Sequence, residues 1–405
     1  MSQTTLSAGR EQAIVRPSLN RLQRLSLVVA VVGLAAALAG ALLDRQQFWQ
    51  SYLLAYSFWL HIALGCLGVV MLHHLVGGRW SAMSRRLMES GAMTLPLMAV
   101  LFIPLLFGLT TLYPWTNESH VAESELLQHK TAYLNLPFFI GRVVVYFAIW
   151  LGLAYQLNRW SVEQDRTGEP GLARRMRRTS AVGMILYVLT VTFAAYDWLM
   201  SLEPEWFSSI YGLLILAGQA TAALAVAVIG LRAMNHAQAL SEERTQAFNH
   251  LGNLLLGFVM LWAYLAFSQF LIIWSANIPE EAIWYYHRSQ GGWLGAGMVL
   301  IAVHFAVPMG LLLSRRVKRR GTVLAWLAAL LLVARLVDLV WLIVPAFYPD
   351  ELHLHWLDPV LVMAMGGGWL ALFIRQWASK APLPRHDPHL EGLMDSHLPT
   401  VAPQG

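Results

Sequence analysis

The chain has 405 residues, of which 57% are hydrophobic and 13% are charged, and its mean hydropathy is +0.52. A soluble globular protein usually carries about a quarter charged residues, so this composition indicates a membrane protein. The net charge of +5 does not indicate nucleic-acid binding, because the basic residues fall in short clusters between apolar segments. The single cysteine, Cys66, excludes an intrachain disulfide, a cysteine-ligated iron–sulfur cluster and a CxxCH haem attachment site.

Ten apolar segments are long enough for a helix to cross a bilayer, which takes about 20 residues. A polar N-terminal tail (1–24) precedes them, and a polar tail (379–405) that we expect to be mobile follows them. The predicted spans cover residues 25–43, 52–76, 91–113, 135–156, 179–200, 211–231, 250–275, 291–314, 322–346 and 357–378. They predict an all-α, polytopic membrane domain at 25–378. Spans two to five (52–200) and six to nine (211–346) could form two four-helix units, although periodicity alone does not establish them.

Basic residues are distributed unequally between the two sides of these spans. Loops on the N-terminal side, together with both tails and the last turn of span ten, carry 23 of the 28 Lys and Arg residues, whereas the opposite loops carry only Arg45, Lys130 and Arg288. Because positive charge stays on the cytoplasmic side of a membrane, we predict that both termini are cytoplasmic. The opposite loops carry ten acidic residues, among them Glu203 and Glu205. These acids follow from the orientation, or they form a docking surface or a proton-collecting antenna.

Charged residues inside a span cost about 3 kcal/mol each on insertion scales, so each needs a reason. Asp197, near the outer end of span five, shares one stripe of the helix with Thr190 and Tyr187. Arg142 begins span four at a similar depth and is the predicted counter-charge. If the two residues pair, the site is mainly structural. If Asp197 has no stable partner, it becomes a proton carrier.

A second buried pair lies in span nine. Arg335 and Asp338 are three residues apart, so they share a helix face and can neutralise each other. They either fix helix packing or form a protonatable relay.

Two histidines complete the buried polar set, His61 in the outer half of span two and His304 near the middle of span eight. A haem pair is not predicted, because His61 and His74 would lie about 19.5 Å apart along the helix and ~140° apart around it. No second helix carries a matching pair. A lone intramembrane histidine is often a packing residue, whereas histidines at graded depths indicate a proton path.

The predicted proton pathway therefore contains seven residues. They are Asp197, Asp338, Arg335, His61, His304, Arg142 and Tyr187. We predict no catalytic residue, no metal ligand and no cofactor bound by this chain.

The segment "IPEEAIWYYHRSQGGW" joins spans seven and eight at the outer interface. Its aromatic residues, including Tyr285 and Tyr286, are typical of an interfacial belt. An amphiphilic headgroup such as a quinol could also use this chemistry.

Four stretches together resemble one known family. They are "FWLHIALGCLGVVMLHHLVGGRW" (58–80), "YDWLMSLEPEWFSSIYGLLILAGQ" (196–219), "NLLLGFVMLWAYLAFSQFLIIWSANIPEEAIWYYHR" (253–288) and "GAGMVLIAVHFAVPMGLLLSRRVKR" (295–319). They are similar to the F subunit of the bacterial alternative complex III, a quinol:cytochrome c oxidoreductase, and the resemblance covers most of residues 50–378. It implies a fold like the polysulfide-reductase membrane subunits, with two four-helix bundles flanked by a first and a tenth helix.

The resemblance also implies partners and a role in a respiratory chain. The expected partners are a related membrane subunit, an iron–sulfur subunit and subunits that carry c-type haem, and the quinol site is expected in the related membrane subunit. The chain itself is then a cofactor-free subunit of the membrane core that supports quinol oxidation and contributes to proton translocation.

Two other functions remain open on the sequence. The number of spans and the buried charges suit a secondary transporter, but no two broken helices occupy equivalent positions in two halves, since Pro96 and Pro104 interrupt only span three. A purely structural membrane scaffold would explain the buried charges as neutralised pairs.

Overall fold

The computed structural model describes residues 3–234, 242–381, 383–384 and 386–387. Within these ranges the chain is helical and without strands, and ten helices are long and apolar enough to span a membrane. The predicted all-α polytopic fold and its ten spans are therefore confirmed. Residues 1–2 of the predicted N-terminal tail and 388–405 of the predicted C-terminal tail lie outside the described ranges.

We number the ten membrane helices α1 to α10. They are α1 (Gln3–Leu43), α2 (Arg45–Val76), α3 (Arg85–Leu105), α4 (Leu136–Thr167), α5 (Pro170–Leu202), α6 (Tyr211–Ala233), α7 (Glu242–Ala276), α8 (Trp293–Leu312), α9 (Gly321–Ala346) and α10 (Leu357–Ala378). The helix α1 begins at Gln3, so it continues from the predicted first span back through the predicted polar tail. A turn interrupts α3 after Ala92, and a π-helical segment, Ile301–Ala306, lies within α8.

Local sequence signals explain where several helices begin and end. The side chain of Asp44 accepts a hydrogen bond from the backbone N–H of Gln47 and caps α2, and Asn135 caps α4 in the same way through Phe138. Such caps satisfy backbone donors that the first helical turn leaves free. Gly168 ends α4 in the left-handed region, at φ 65°, where a side chain would be strained.

The helices pack as two rings of four. In the first bundle α2 contacts α3 and α5, and α4 contacts α3 and α5; in the second, α6 and α8 both contact α7 and α9. The helices α1 and α10 pack on each other outside the rings, and α10 also contacts α2. Helices α2 and α6 join the bundles at a close crossing, where a Cβ on Gly65 would lie 2.1 Å from the carbonyl oxygen of Gln219. This arrangement agrees with two bundles and two flanking helices.

The connections at 106–135, 203–210, 277–292 and 347–356 lie at one end of the bundles, which we name the acidic end. The opposite end, which carries most of the Arg and Lys residues, is named the basic end. A short helix, Pro279–His287, lies at the acidic end between α7 and α8.

Candidate functional site

The predicted residues separate into two groups, one where the second bundle meets α2 and the other within the first bundle. We name the larger group, consisting of His61, Arg335, Asp338 and His304, the central cluster. The other group is the pair of Arg142 and Asp197 between α4 and α5. Tyr187 belongs to neither group but lies close to the central cluster.

Arg335 hydrogen-bonds to two other residues of the central cluster. Its Nη1 donates to Asp338 Oδ2 on the next turn of α9, which confirms the predicted ion pair, and its Nη2 lies 3.2 Å from Nδ1 of His61 on α2. Because a guanidinium can only donate, Nδ1 of His61 is the acceptor, and the imidazole carries its proton on Nε2. Gly218 makes room for this arrangement, since a Cβ there would lie 2.4 Å from the guanidinium carbon of Arg335.

His304 lies in the π-helical segment of α8 and is fully buried. Neither of its ring nitrogens hydrogen-bonds to a described residue. The imidazole instead packs against the indole of Trp262, with ring centroids 4.1 Å apart. Buried polar atoms nearly always have partners, and π-helical segments frequently occur at functional sites. Both observations favour a functional role for His304 over a role in packing alone.

Asp197 is held far more tightly than Asp338. Arg142 binds its carboxylate through two nitrogens, Nε to Oδ2 at 2.8 Å and Nη2 to Oδ1 at 2.9 Å, which confirms the predicted counter-charge. The hydroxyl of Tyr146 donates a third hydrogen bond at 2.7 Å. The guanidinium of Arg142 also lies 3.9 Å from the ring centre of Tyr133. The sequence left two alternatives for Asp197, a structural role if it pairs with Arg142 and proton transfer if it has no stable partner. The observed pair indicates a mainly structural site.

The stripe predicted along α5 is not a continuous chain of hydrogen bonds. The Tyr187 hydroxyl donates to Gln219 Oε1 at 2.9 Å, whereas Thr190 accepts a hydrogen bond from Trp150 on α4. Gln219 follows Gly218, the residue that borders Arg335. Tyr187 is therefore placed towards the central cluster and not towards Asp197.

An ion pair at the acidic end was not predicted. Arg288 Nη2 donates to Glu203 Oε2 at 2.7 Å, and His287 lies 3.3 Å from the other oxygen. Burial would raise the pKa of Glu203, but the charge of Arg288 and hydrogen bonds from His287 and Arg288 outweigh it and hold the pKa below its ordinary value. Both carboxylate oxygens of Glu203 are thus paired with residues of this chain. The sequence had instead offered a role in collecting protons or in docking a partner.

A second unpredicted network lies at the basic end. Arg85, at the start of α3, donates to Glu89 at 2.8 Å and to Asp387 at 3.0 Å. Asp387 is only 1% exposed and also lies 3.2 Å from His73. The expectation of a mobile C-terminal tail is therefore wrong at Asp387, because a buried carboxylate paired with Arg85 fixes that part of the tail. The sequence had suggested only that these arginines orient a loop.

A cavity of about 820 Å³, which we name the lateral cavity, opens between α7, α8, α9 and the short helix Pro279–His287. Its mouth contains apolar side chains that are exposed on α7 and α8, such as Phe267 (61% exposed) and Met298 (62%). In a membrane, this mouth would face the lipid. Asp338 lines the cavity, which therefore reaches the central cluster.

Among the described residues, no three His, Cys, Asp or Glu side chains come together as a group that could hold a metal ion. No protein-family model matches the chain, and no curated protein is similar enough to count as a match.

Proposed function

We propose that the chain is a cofactor-free membrane subunit of a respiratory quinol:cytochrome c oxidoreductase of the alternative complex III type. In this role it supports quinol oxidation in a related membrane subunit and moves protons through the central cluster, where its second bundle meets α2. Quinol, c-type haem and iron–sulfur clusters belong to the partner subunits. The four sequence stretches that resemble this family support the assignment to such a complex.

One observation carries the proposal. Each of the four stretches contributes one residue around the Arg335–Asp338 pair. The first two contribute His61 and Gly218, which contact Arg335 directly. The last two contribute Trp262, which lies near Asp338, and His304, which packs on Trp262. The parts of the chain that carry the resemblance thus meet at one buried, titratable cluster.

The partners of the two aspartates suggest which one moves protons. Three donated hydrogen bonds hold the Asp197 carboxylate between α4 and α5. Asp338 receives a hydrogen bond from Arg335 and lines the lateral cavity. A carboxylate with fewer donors and access to a cavity is better suited to exchange protons with neighbouring imidazoles. We therefore assign the relay to Asp338, His61 and His304.

Composition of the native complex tests the assignment to a respiratory assembly. The tagged chain should be purified from bacterial membranes under mild detergent, and the haem spectrum and iron content of the eluate should be measured. We expect c-type haem and iron in constant ratio to the chain. A chain that elutes alone from an intact membrane extract would overturn the proposal.

The double variant Arg335→Met/Asp338→Leu tests the relay without leaving a single buried charge, which would threaten folding. A matched control, Arg142→Met/Asp197→Leu, removes the other buried pair. We expect both variants to assemble and to transfer electrons, whereas only the first loses most quinol-linked proton release into the medium of proteoliposomes. If both release protons as the unmodified complex does, the relay is wrong.

A structural scaffold is the second candidate function, and the closed Arg142–Asp197 pair favours it. A scaffold predicts that both double variants change assembly or stability alone. Measuring proton release per electron, instead of total activity, separates the two functions.

A further inference from the structure

We propose that the lateral cavity binds a membrane amphiphile whose headgroup presents a carbonyl oxygen, and that the indole N–H of Trp341 donates a hydrogen bond to that oxygen. This inference concerns the chain alone and does not depend on the proposed respiratory role. The respiratory proposal places quinol oxidation in a partner and assigns no ligand to this cavity.

The size and lining of the cavity fit a long apolar molecule. Its volume of about 820 Å³ lies in the range of sites for small molecules, which are lined mainly by apolar and aromatic side chains with a few polar groups. Exposed apolar residues at its mouth, including Tyr264 (67% exposed) and Ile301 (59%), would let an acyl or isoprenoid tail enter from the side.

The inner wall offers a hydrogen-bond donor that the protein leaves unused. The Trp341 indole nitrogen is buried and donates to no described residue. It faces Gly297, which also lines the cavity and carries no side chain, since a Cβ there would lie 3.3 Å from that nitrogen. The indole of Trp262, on the same wall, interacts instead with Asp338. A buried donor without an acceptor is costly, so a ligand that supplies one is favoured.

Tyr285 adds a second donor at the outer end of the cavity. Its hydroxyl oxygen lies 3.4 Å from the amide nitrogen of Gln269, which donates to it. Burial raises the pKa of Tyr285 to about 12, so the hydroxyl keeps its own proton at physiological pH.

The charged residues of the wall argue for a neutral headgroup. Of the described residues that line the cavity, Arg288 and Asp338 are charged, and each is already paired. The guanidinium of Arg288 donates to Glu203 and to the backbone oxygens of Trp284, Trp341 and Leu342. A phosphate would find no free cation there, whereas a carbonyl matches the neutral N–H and O–H donors.

The donor of Trp341 is also held in place. Its indole meets that of Trp284 edge to face, with centroids 5.3 Å apart, and its own backbone oxygen accepts from Arg288. A fixed donor loses little freedom on binding, which favours affinity. Two kinds of membrane molecule present the required chemistry, namely a diacyl lipid through its ester carbonyl and an isoprenoid quinone through its ring carbonyl.

Native mass spectrometry of the purified full chain, released from nanodiscs, can test binding. The two probes are a benzoquinone with a decyl tail and dioctanoylglycerol, an uncharged diacyl lipid, titrated separately and in competition. Trp341→Phe removes the donor and keeps the ring. Trp326→Phe is the matched control, because Trp326 lies on the same helix, is 75% exposed and is not part of the cavity wall. Ala266→Phe fills the cavity.

We expect one probe to bind the unmodified chain and the Trp326→Phe variant equally. Binding should weaken about three- to tenfold in Trp341→Phe, the usual effect of losing one hydrogen bond, and should be lost in Ala266→Phe. The probe that shows this pattern identifies the source of the carbonyl. If neither probe distinguishes Ala266→Phe from the unmodified chain, the proposal is overturned. Circular dichroism of Trp341→Phe, the more conservative change, ensures that weaker binding does not reflect unfolding.

Discussion

Removing Arg142 alone should be among the most destabilising single changes in the first bundle. In Arg142→Met the side chain keeps most of its apolar length but loses both hydrogen bonds to Asp197, at 2.8 and 2.9 Å. Asp197 is fully buried, so its carboxylate cannot gain water in exchange. The variant therefore leaves one buried charge without a counter-charge.

The expected magnitude follows from the partners that remain. Breaking a buried ion pair by removing one partner typically costs about 3–5 kcal/mol. The hydroxyl of Tyr146 still donates to Asp197 at 2.7 Å, so we expect the lower part of this range, about 3 kcal/mol. Replacing both residues, as Arg142→Met/Asp197→Leu, removes the charge as well as its partner. This double variant should lie within about 1 kcal/mol of the unmodified chain.

Equilibrium unfolding in mixed micelles, with increasing sodium dodecyl sulfate, measures these free energies. Arg319→Met is the matched control, because Arg319 pairs with Glu242 at 2.6 Å while both side chains are exposed, by 45% and 62%. An exposed pair contributes little, so this control should lose less than about 1 kcal/mol. If Arg142→Met costs no more than the control, the Asp197 carboxylate is hydrated and the structural interpretation of the pair is wrong.

Two further predictions concern packing and pH. Gly218→Ala should cost about 1–3 kcal/mol in the same assay, because its Cβ would lie 2.4 Å from the Arg335 guanidinium, whereas Gly141→Ala, with nothing within 4 Å, should be neutral or stabilising. The lowered pKa of Glu203 contributes stability that is complete above its ordinary value of 4.5 and is lost as pH falls through the folded value. Unfolding between pH 7 and pH 3 should therefore show a loss of stability below about pH 4.5 that is smaller in Glu203→Gln; equal losses would contradict the role of Arg288.

Features that depend on neighbouring residues in the chain were predictable. A span needs about 20 apolar residues in succession, so all ten could be located from hydropathy. The Arg335–Asp338 pair was equally accessible, because residues three apart share one face of a helix. The helical extension of α1 before Leu19 was not predicted, since its polar residues carry no hydropathy signal.

Contacts between distant helices could not be predicted. His61 and Arg335 are 274 residues apart, and Glu203 and Arg288 are 85 apart, so only the packing of the helices brings them together. A weak signal existed for the second pair, because Arg288 is one of three basic residues on the acidic side. An unexpected charge in a loop of the opposite sign is a reason to look for a buried partner.

Each of the two bundles contains a buried Arg–Asp pair, but the surroundings of the two carboxylates differ. Three donors hold the Asp197 carboxylate, whereas Asp338 lines a cavity and lies near the indole of Trp262. The Arg142–Asp197 pair holds helices together, because removing either partner leaves an uncompensated buried charge. The Asp338 carboxylate can in addition respond to a molecule in the cavity. Variation in function should therefore be sought in the second bundle, and variation in stability in the first.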